Sequence, residues 1–199
     1  MDGFTRRKEK SKEDIRKASR ELFSQFGVDK VSIADIAHKA DVSQATIYNN
    51  FGSKEALVRE FVTSAVEQLV NRVQEILTPK KQYHEKMLAF IQFISDIMVN
   101  GRPSAADSAI FTSSYLQNDP EIKTIRMEAQ RKMTGLMLEL VQEGKQQGQV
   151  NPDLSEEVLS IYFAVFMDVF TNPELLHRFF HRPELVRDLG SMMLNGLRS

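Results

Sequence analysis

The chain has 199 residues, 42% of them apolar and 27% charged, which allows one medium domain or a small domain joined to a larger one. It contains no cysteine, so disulfides, thiol catalysis and cysteine-ligated metals are excluded, and we expect a reducing cytoplasmic location. The formal net charge is -1, but residues 1–54 carry a net +3 and residues 55–199 a net -4. The basic run from Arg6 to Arg20 favours an end that meets phosphate, although such a run alone is more often a solvated tail.

The N-terminal quarter predicts three helices. The first has an apolar stripe and ends at Gly27, a residue that suits a helix C-terminus. The stripe consists of Ile15, Ala18, Leu22, Phe23 and Phe26. Ser32, with Asp35 three residues later, is typical of a capping box at the start of the second helix. Ser43 and Ser53 are further N-cap candidates, and between them we expect a very short third helix.

The rest of the chain also reads as helices, and strand signals are nearly absent. A helix from Lys54 to Leu77 has one broad apolar face, and we expect it to belong to both parts of the chain and to act as a lever. The sequence Asp119-Pro120-Glu121 is a strong helix start, with a cap, a proline at the first helical position and an acid near the positive dipole end. Further helices are predicted over residues 83–100, 104–116, 120–148, 156–171 and 183–197.

Residues 32–51, SIADIAHKADVSQATIYNNF, predict two short helices joined by a tight turn at residues 40–42. Asp41 tolerates the left-handed backbone that this turn needs. The outer face of the second helix presents short polar side chains and an aromatic hydroxyl, the types that read base edges or bond to phosphates. These residues are Gln44, Ala45, Thr46, Tyr48, Asn49 and Asn50. The major groove, about 12 Å wide, admits one helix, so this stretch predicts binding to double-stranded DNA.

Two spaced patterns in this region also carry a family resemblance. They read Ile15-x-x-Ala18-x-x-x-Leu22-Phe23-x-x-x-Gly27 and Ser32-x-x-x-Ile36-Ala37-x-x-Ala40-x-Val42-Ser43-x-Ala45-Thr46-Ile47-Tyr48-x-x-Phe51-x-Ser53-Lys54-Glu55-x-Leu57. In them the sequence resembles the TetR family of bacterial helix-turn-helix transcription regulators, over residues 10–60. Two positions depart from the family pattern. Asp41 stands where glycine is usual, and Ala34 stands where some members place a base-reading arginine.

The resemblance implies an all-α chain of nine or ten helices in two parts. Residues 1–52 would form a three-helix DNA-binding domain, and residues 53–199 a helical ligand-binding and dimerisation domain. It also implies phosphate contacts from Ser32, Tyr48 and Lys54, and helix N-termini such as those at Ser32 and Lys54 do favour an anion. The full set of expected DNA-binding residues is Ser32, Ser43, Gln44, Ala45, Thr46, Tyr48, Asn49, Asn50 and Lys54.

The segment 158–170, VLSIYFAVFMDVF, is apolar on every side. It is therefore buried on all sides within one subunit, or on one side within the subunit and on the other by a partner. We expect the helices near residues 156–171 and 183–197 to pair with their copies in a homodimer. Asp168, an acid inside this segment, needs a partner, water, a ligand cation or a subunit boundary, and the sequence does not choose among these.

Large, adaptable apolar side chains between residues 90 and 166 are either plain core or the lining of a ligand cavity. The candidates for such a pocket are Phe90, Phe93, Phe111, Tyr115, Met133, Met137, Tyr162 and Phe166. The effector would be an apolar or aromatic small molecule. No cofactor is expected, because the sequence has no Gly-rich phosphate loop. His177 and His181 lie four residues apart, but no third ligand accompanies them, so we expect no metal site.

These observations together predict a DNA-binding regulator, in the form of a dimeric repressor released by a ligand. No serine or carboxylate pair has the companions that a hydrolase needs, so we expect no enzyme activity. The alternatives are an activator, a regulator controlled by a protein partner and, from another class, a helical enzyme that uses the C-terminal cavity.

Overall fold

Eight helices make up the regular structure of the residues that the computed structural model describes, and no strand occurs among them. The described residues are 3–78, 80–99, 118–169, 175, 178–179, 181–182 and 184–197. The helices are α1 (Gly3–Phe26), α2 (Ile33–Lys39), α3 (Gln44–Phe51), α4 (Lys54–Leu77), α5 (Tyr83–Val99), α6 (Pro120–Gln146), α7 (Glu156–Val169) and α8 (Glu184–Gly196). The expected all-α class is confirmed, and the helix expected over residues 104–116 lies outside the described residues.

The described residues fall into two compact units. The first contains residues 3–65 and 118–123, and the second contains the described residues of 66–99 and 124–197. Two helices contribute to both units: α4 passes from the first to the second after Ala65, and α6 after Lys123.

The first unit has its own apolar core, in which α1, α2 and α3 pack against one another. Its fully buried side chains include Ile15, Phe23, Ile36, Ile47 and Val58. The rings of Phe23 on α1 and Phe61 on α4 lie 5.5 Å apart. An ion pair of 2.9 Å between Lys39 and Glu21 ties the end of α2 to α1, and it lowers the pKa of the Glu21 carboxyl.

The same unit also holds the start of α6. Asp119 accepts hydrogen bonds from the backbone N–H groups of Glu121 and Ile122, at 2.9 and 3.1 Å, so it caps this helix as the sequence predicts. The Arg59 guanidinium on α4 lies 2.9 Å from the Asp119 carboxylate and 3.0 Å from that of Glu121. The two ion pairs therefore attach the first turn of α6 to α4 within one unit.

The core of the second unit consists mainly of side chains from α4, α5, α6, α7 and α8, with Val150 from the loop after α6 and Leu197 directly after α8. Its buried members are Val70, Val73, Leu77, Tyr83, Met87, Phe90, Met133, Met137, Leu140, Val141, Val150, Leu159, Phe163, Met193 and Leu197. Helices α5 and α8 approach closely at Gly190, where an added Cβ would lie 2.5 Å from the Ile91 side chain. Beside this core, Lys86 is buried and its ammonium lies 2.6 Å from the Glu143 carboxylate.

Helix α7 has two apolar faces with different surroundings. Leu159 and Phe163 are buried in the core of the second unit. On the other face, Val158, Ile161 and Val165 are 55%, 59% and 63% exposed. The sequence left open whether one subunit buries this segment on all sides or on one side only. The single chain buries only one side. The side chain of Asp168 lies outside the described residues.

Candidate nucleic-acid interface

Helices α2 and α3 are joined by a turn of four residues whose backbone hydrogen bonds stay within the motif. The N–H of Val42 donates to the carbonyl of Ala37 at 3.0 Å, and the N–H of Asp41 donates to His38 at 3.3 Å. Asp41 has a φ of 53°, the left-handed conformation that the sequence predicts for it. Asp and Asn accept this conformation more readily than other side chains, so aspartate can replace glycine here.

Both helices of the motif begin at the serines that the sequence indicates. At α2, the Ser32 hydroxyl accepts a hydrogen bond from the N–H of Asp35, while the Asp35 carboxylate accepts from the N–H and hydroxyl of Ser32 at 2.8 and 2.6 Å. These bonds lower the pKa of Asp35. At α3, the Ser43 hydroxyl accepts from the N–H of Thr46 at 3.1 Å. The capping box and the second cap are confirmed, and they set the angle at which α3 leaves the turn.

Helix α3 buries one side and exposes the other. Ile47 is fully buried in the core of the first unit, which anchors the helix. Gln44, Ala45, Tyr48 and Asn49 are exposed on the opposite side, with half of the tyrosine accessible. The structure thus brings together four of the residues expected to contact DNA in one continuous row, the arrangement that a helix needs in order to enter a groove.

Four other members of the expected set have bonds inside the protein. The hydroxyls of Ser43 and Thr46 lie 2.9 Å apart, and Thr46 is only partly exposed. Asn50 donates its side-chain N–H to the carbonyl of Thr46 at 2.9 Å. The hydroxyl of Ser32 is held by Asp35, as described above. Their contacts to DNA stay a prediction, and such contacts would compete with these bonds.

Lys54, the ninth member, is the first residue of α4 and is partly exposed. Ser53 caps this helix, since its hydroxyl accepts from the N–H of Ala56 at 3.2 Å. Lys54 thus stands at a helix N-terminus, where backbone N–H groups already attract an anion.

Sequence reasoning missed the role of Arg16, which had been counted only as part of a basic run. Its guanidinium lies 2.8 Å from the Glu60 carboxylate on α4 and stacks 5.5 Å from the centre of the Phe51 ring at the end of α3. The hydrogen bond to Glu60 raises the pKa of Arg16. Arg16 therefore helps to hold α3 between α1 and α4. The one sequence signal for this role was the position of Arg16 next to Ile15 on a helix. Its two partners, Glu60 and Phe51, are remote along the chain.

The residues proposed for an effector pocket are only partly brought together. Phe90, Met133 and Met137 are buried in the core of the second unit, and Phe93 and Phe166 pack against that core. Tyr162 is 38% exposed, and its ring stacks on Phe166 with centres 6.4 Å apart. The remaining two candidates, Phe111 and Tyr115, lie outside the described residues.

A cleft of about 400 Å³ opens elsewhere in the second unit, along the outer side of α6 near the start of α7. Its lining is mostly polar and includes none of the candidate pocket residues. The Lys145 ammonium at this cleft donates to the carbonyls of Pro152 and Leu154, so it closes the loop that precedes α7.

No described helix combines the length and hydropathy that crossing a bilayer requires. The described side chains include no cluster of three or more His, Asp or Glu placed to hold a metal ion. Of the two histidines weighed as ligands, His181 is exposed and His177 lies outside the described residues.

Helix α3 is capped, exposes a row of polar side chains and is joined to the short helix α2 by a tight turn. This arrangement defines a helix-turn-helix DNA-binding protein. Residues 15–61 match the family model described as "Bacterial regulatory proteins, tetR family". Over these residues the chain is similar to the TetR family of helix-turn-helix transcription regulators.

Relatives extend the similarity beyond the DNA-binding segment. The chain is 22% identical over 177 residues to the HTH-type transcriptional regulator UidR of Escherichia coli, covering 85% of this chain and 86% of that one. It is 26% identical over 141 residues to the HTH-type transcriptional repressor KstR2 of Mycolicibacterium smegmatis, covering 69% and 66%. Its fold is similar to that of the regulator FadR from Bacillus subtilis, solved in complex with stearoyl-CoA, with a TM-score of 0.60, 19% identity and coverage of 93% and 98%.

Proposed function

We propose that this DNA-binding regulator is a dimeric repressor, which leaves its operator when a small molecule binds the second unit. The observation that carries the proposal is the outer row of α3, held rigidly by the Ser43 cap and the buried Ile47. Gln44 comes first in this row, at the end of the helix that meets base edges, and its amide can pair with an adenine through two hydrogen bonds. Tyr48 and Lys54 would contact phosphates on either side.

The exposed apolar face of α7 supports the dimer. Val158, Ile161 and Val165 follow one another at helical spacing, and Met192 on α8 is 69% exposed. A contiguous apolar stripe of this kind is unfavourable in water and typical of an interface. A second copy would cover it by pairing α7 and α8 with their counterparts. A two-fold dimer then presents two copies of α3 to half-sites about 34–36 Å apart, which is one turn of DNA.

The proposal of an effector rests on the composition of the second unit and on the relative solved with stearoyl-CoA. Its core contains flexible methionines and aromatic rings, such as Met133, Met137 and Phe90, which can repack around an apolar guest. A ligand releases DNA only through a higher affinity for the form that does not bind DNA. KstR2, named as a repressor, supports the negative sign of regulation.

Dimerisation is tested by Val165→Glu, which puts a charge on the exposed face of α7 without touching the core. We expect this variant to be monomeric by light scattering at micromolar concentration and to lose tight binding to a two-fold operator. Leu88→Glu is the matched control, because Leu88 on α5 is also apolar and 53% exposed. The control should stay dimeric. A monomeric wild-type protein, or two variants that behave alike, would refute the α7 interface.

Regulation is tested by gel shifts on DNA upstream of the gene and its neighbours, with and without stearoyl-CoA and a panel of apolar and aromatic compounds. Whether the protein represses or activates is tested by measuring transcription from the bound promoter in a strain that lacks the regulator's gene. We expect transcription to rise on deletion. A fall would identify an activator, and a complex that only a cellular protein dissociates would point to control by a protein partner.

A further inference from the structure

The N-terminal half of α1 projects beyond the core of the first unit. Helix α1 begins at Gly3, but its first fully buried side chain is Ile15. Residues 5–10 are all exposed, and Ser11 and Lys12 are partly exposed. At about 1.5 Å per residue, residues 3–14 span roughly 18 Å. We name residues 5–12 the N-terminal extension.

The extension is strongly basic, unlike the rest of α1. It carries five Lys and Arg against one acid, Glu9, a net charge of +4. Further along α1, two arginines have carboxylate partners: Arg16 pairs with Glu60, and Arg20 lies 3.1 Å from Glu13. Glu9 pairs with Lys12, at 3.4 Å. Among the described residues, no carboxylate forms an ion pair with Arg6, Lys8 or Lys10.

Contacts within the first unit show at which end the extension lies. Phe23 of α1 packs against Phe61, seven residues into α4. About two turns earlier, Arg16 contacts both Glu60 of α4 and the ring of Phe51, the last residue of α3. Toward its N-terminus, α1 therefore keeps a contact with α4 and gains one with the end of α3, close to the junction of α3 and α4. That junction carries Lys54, so the extension continues past the end of the unit where a phosphate is expected.

We infer that the N-terminal extension is a second DNA contact, which binds phosphates just outside each half-site without reading sequence. The inference rests on the proposed binding of DNA by α3 and deepens it. The charges lie around the helix rather than on one face, because Arg6 and Lys10 are one turn apart and Lys8 falls on the other side. Such a distribution suits the diffuse field of a phosphate backbone and not the ordered pattern of base edges.

The test compares two duplexes with three proteins. The short duplex ends at the edges of a site that the wild-type protein selects from a random library, and the long duplex adds about ten base pairs of random sequence, one helical turn, on each side. The first variant is Arg6→Gln/Lys8→Gln/Lys10→Gln, since glutamine keeps the helix propensity and removes the charge. The second, Lys80→Gln/Lys81→Gln/Lys132→Gln, removes the same charge from exposed positions of the second unit.

The wild-type protein should bind the long duplex more tightly and with a steeper salt dependence. In the first variant, the slope of log K against log salt on the long duplex should fall by about 0.9 for each lost contact, up to about 2.7 per protomer. Binding to the short duplex and the selected consensus should not change, and the second variant should match the wild type on both duplexes. Circular dichroism checks that the helix content is retained.

Equal slopes for the first variant and the wild type on the long duplex would overturn the inference. So would an equal loss in the second variant, which would mean that net charge alone is responsible, or an equal loss on the short duplex, which would place the contact inside the half-site. Failure of the wild-type protein to select any duplex would instead refute the DNA binding on which the inference rests.

Discussion

The capping residue Asp119 should stabilise the start of α6 in two separable ways. Its carboxylate accepts two backbone hydrogen bonds and also pairs with Arg59, and its side chain is only 9% exposed. Loss of an N-cap costs about 1 kcal/mol. Loss of the charge pair costs about another 1 kcal/mol, below the value for a fully buried pair because Arg59 is partly exposed. Asp119→Ala should therefore lower the free energy of unfolding by about 2 kcal/mol.

Asp119→Asn separates the two effects, because its amide oxygen can still accept the backbone bonds while the charge is lost. We expect a cost of about 1 kcal/mol, half that of the alanine variant. The assay is urea unfolding followed by circular dichroism at one fixed protein concentration. Equal losses in the two variants, or a loss below about 0.5 kcal/mol for alanine, would refute the assignment of Asp119 as both cap and ion-pair partner.

The same carboxylate also predicts a pH dependence. Burial alone would raise the pKa of Asp119, but the bonds from Ile122, Arg59 and Glu121 outweigh it and hold the pKa below its ordinary value of 3.8. A lowered folded pKa means that the stabilisation is complete above the ordinary value and is lost as the pH falls through the lowered one. The difference in unfolding free energy between wild type and Asp119→Asn should thus be constant from about pH 5 to 7 and shrink below about pH 4. A difference that grew in acid would contradict this sign.

Three further predictions concern the DNA-binding segment. Gln44→Ala should relax the preference at one base pair in each half-site, a discrimination of about 1–3 kcal/mol, and an unchanged consensus in a binding-site selection would contradict base reading. Tyr48→Phe and Lys54→Ala should weaken binding to specific and random DNA by similar factors, with a salt slope lower by about one for the lysine change. A changed preference at one base pair would refute these phosphate contacts. Asp41→Val should destabilise the fold by about 1–2 kcal/mol while Asp41→Gly is tolerated, since a β-branched residue resists a positive φ; equal unfolding midpoints would contradict it.

Local signals account for what the sequence alone predicted correctly. The Ser32 capping box, the Ser43 cap and the Asp119 helix start each depend on a side chain and backbone groups no more than three residues away. The left-handed Asp41 depends on its own backbone. These hydrogen bonds form within one helical turn, so they depend on neighbouring residues and not on the tertiary fold. The DNA-binding motif could therefore be found without a structure.

Only the tertiary structure decided which apolar side chains are buried, because burial depends on contacts with residues that are distant along the chain. The sequence of α7 is apolar on all sides, and only packing against the second unit selects Leu159 and Phe163 as core and leaves Val165 outside. The aromatic and methionine residues between positions 90 and 166 are equally apolar whether they fill a core or line a pocket. Composition therefore could not show that Met137 is fully buried while Tyr162 is exposed.

The basic run of α1 shows the same limit. The sequence determines its formal charge, which follows from the number of its lysines, arginines and acids. It does not determine which of these charges form ion pairs within the protein: Arg16 pairs with Glu60, 44 residues away, whereas Arg6, Lys8 and Lys10 are exposed. Periodicity and charge are properties of short segments and survive in the unfolded chain. Burial and ion pairing between remote residues exist only once the helices have packed, so only the folded structure could assign them.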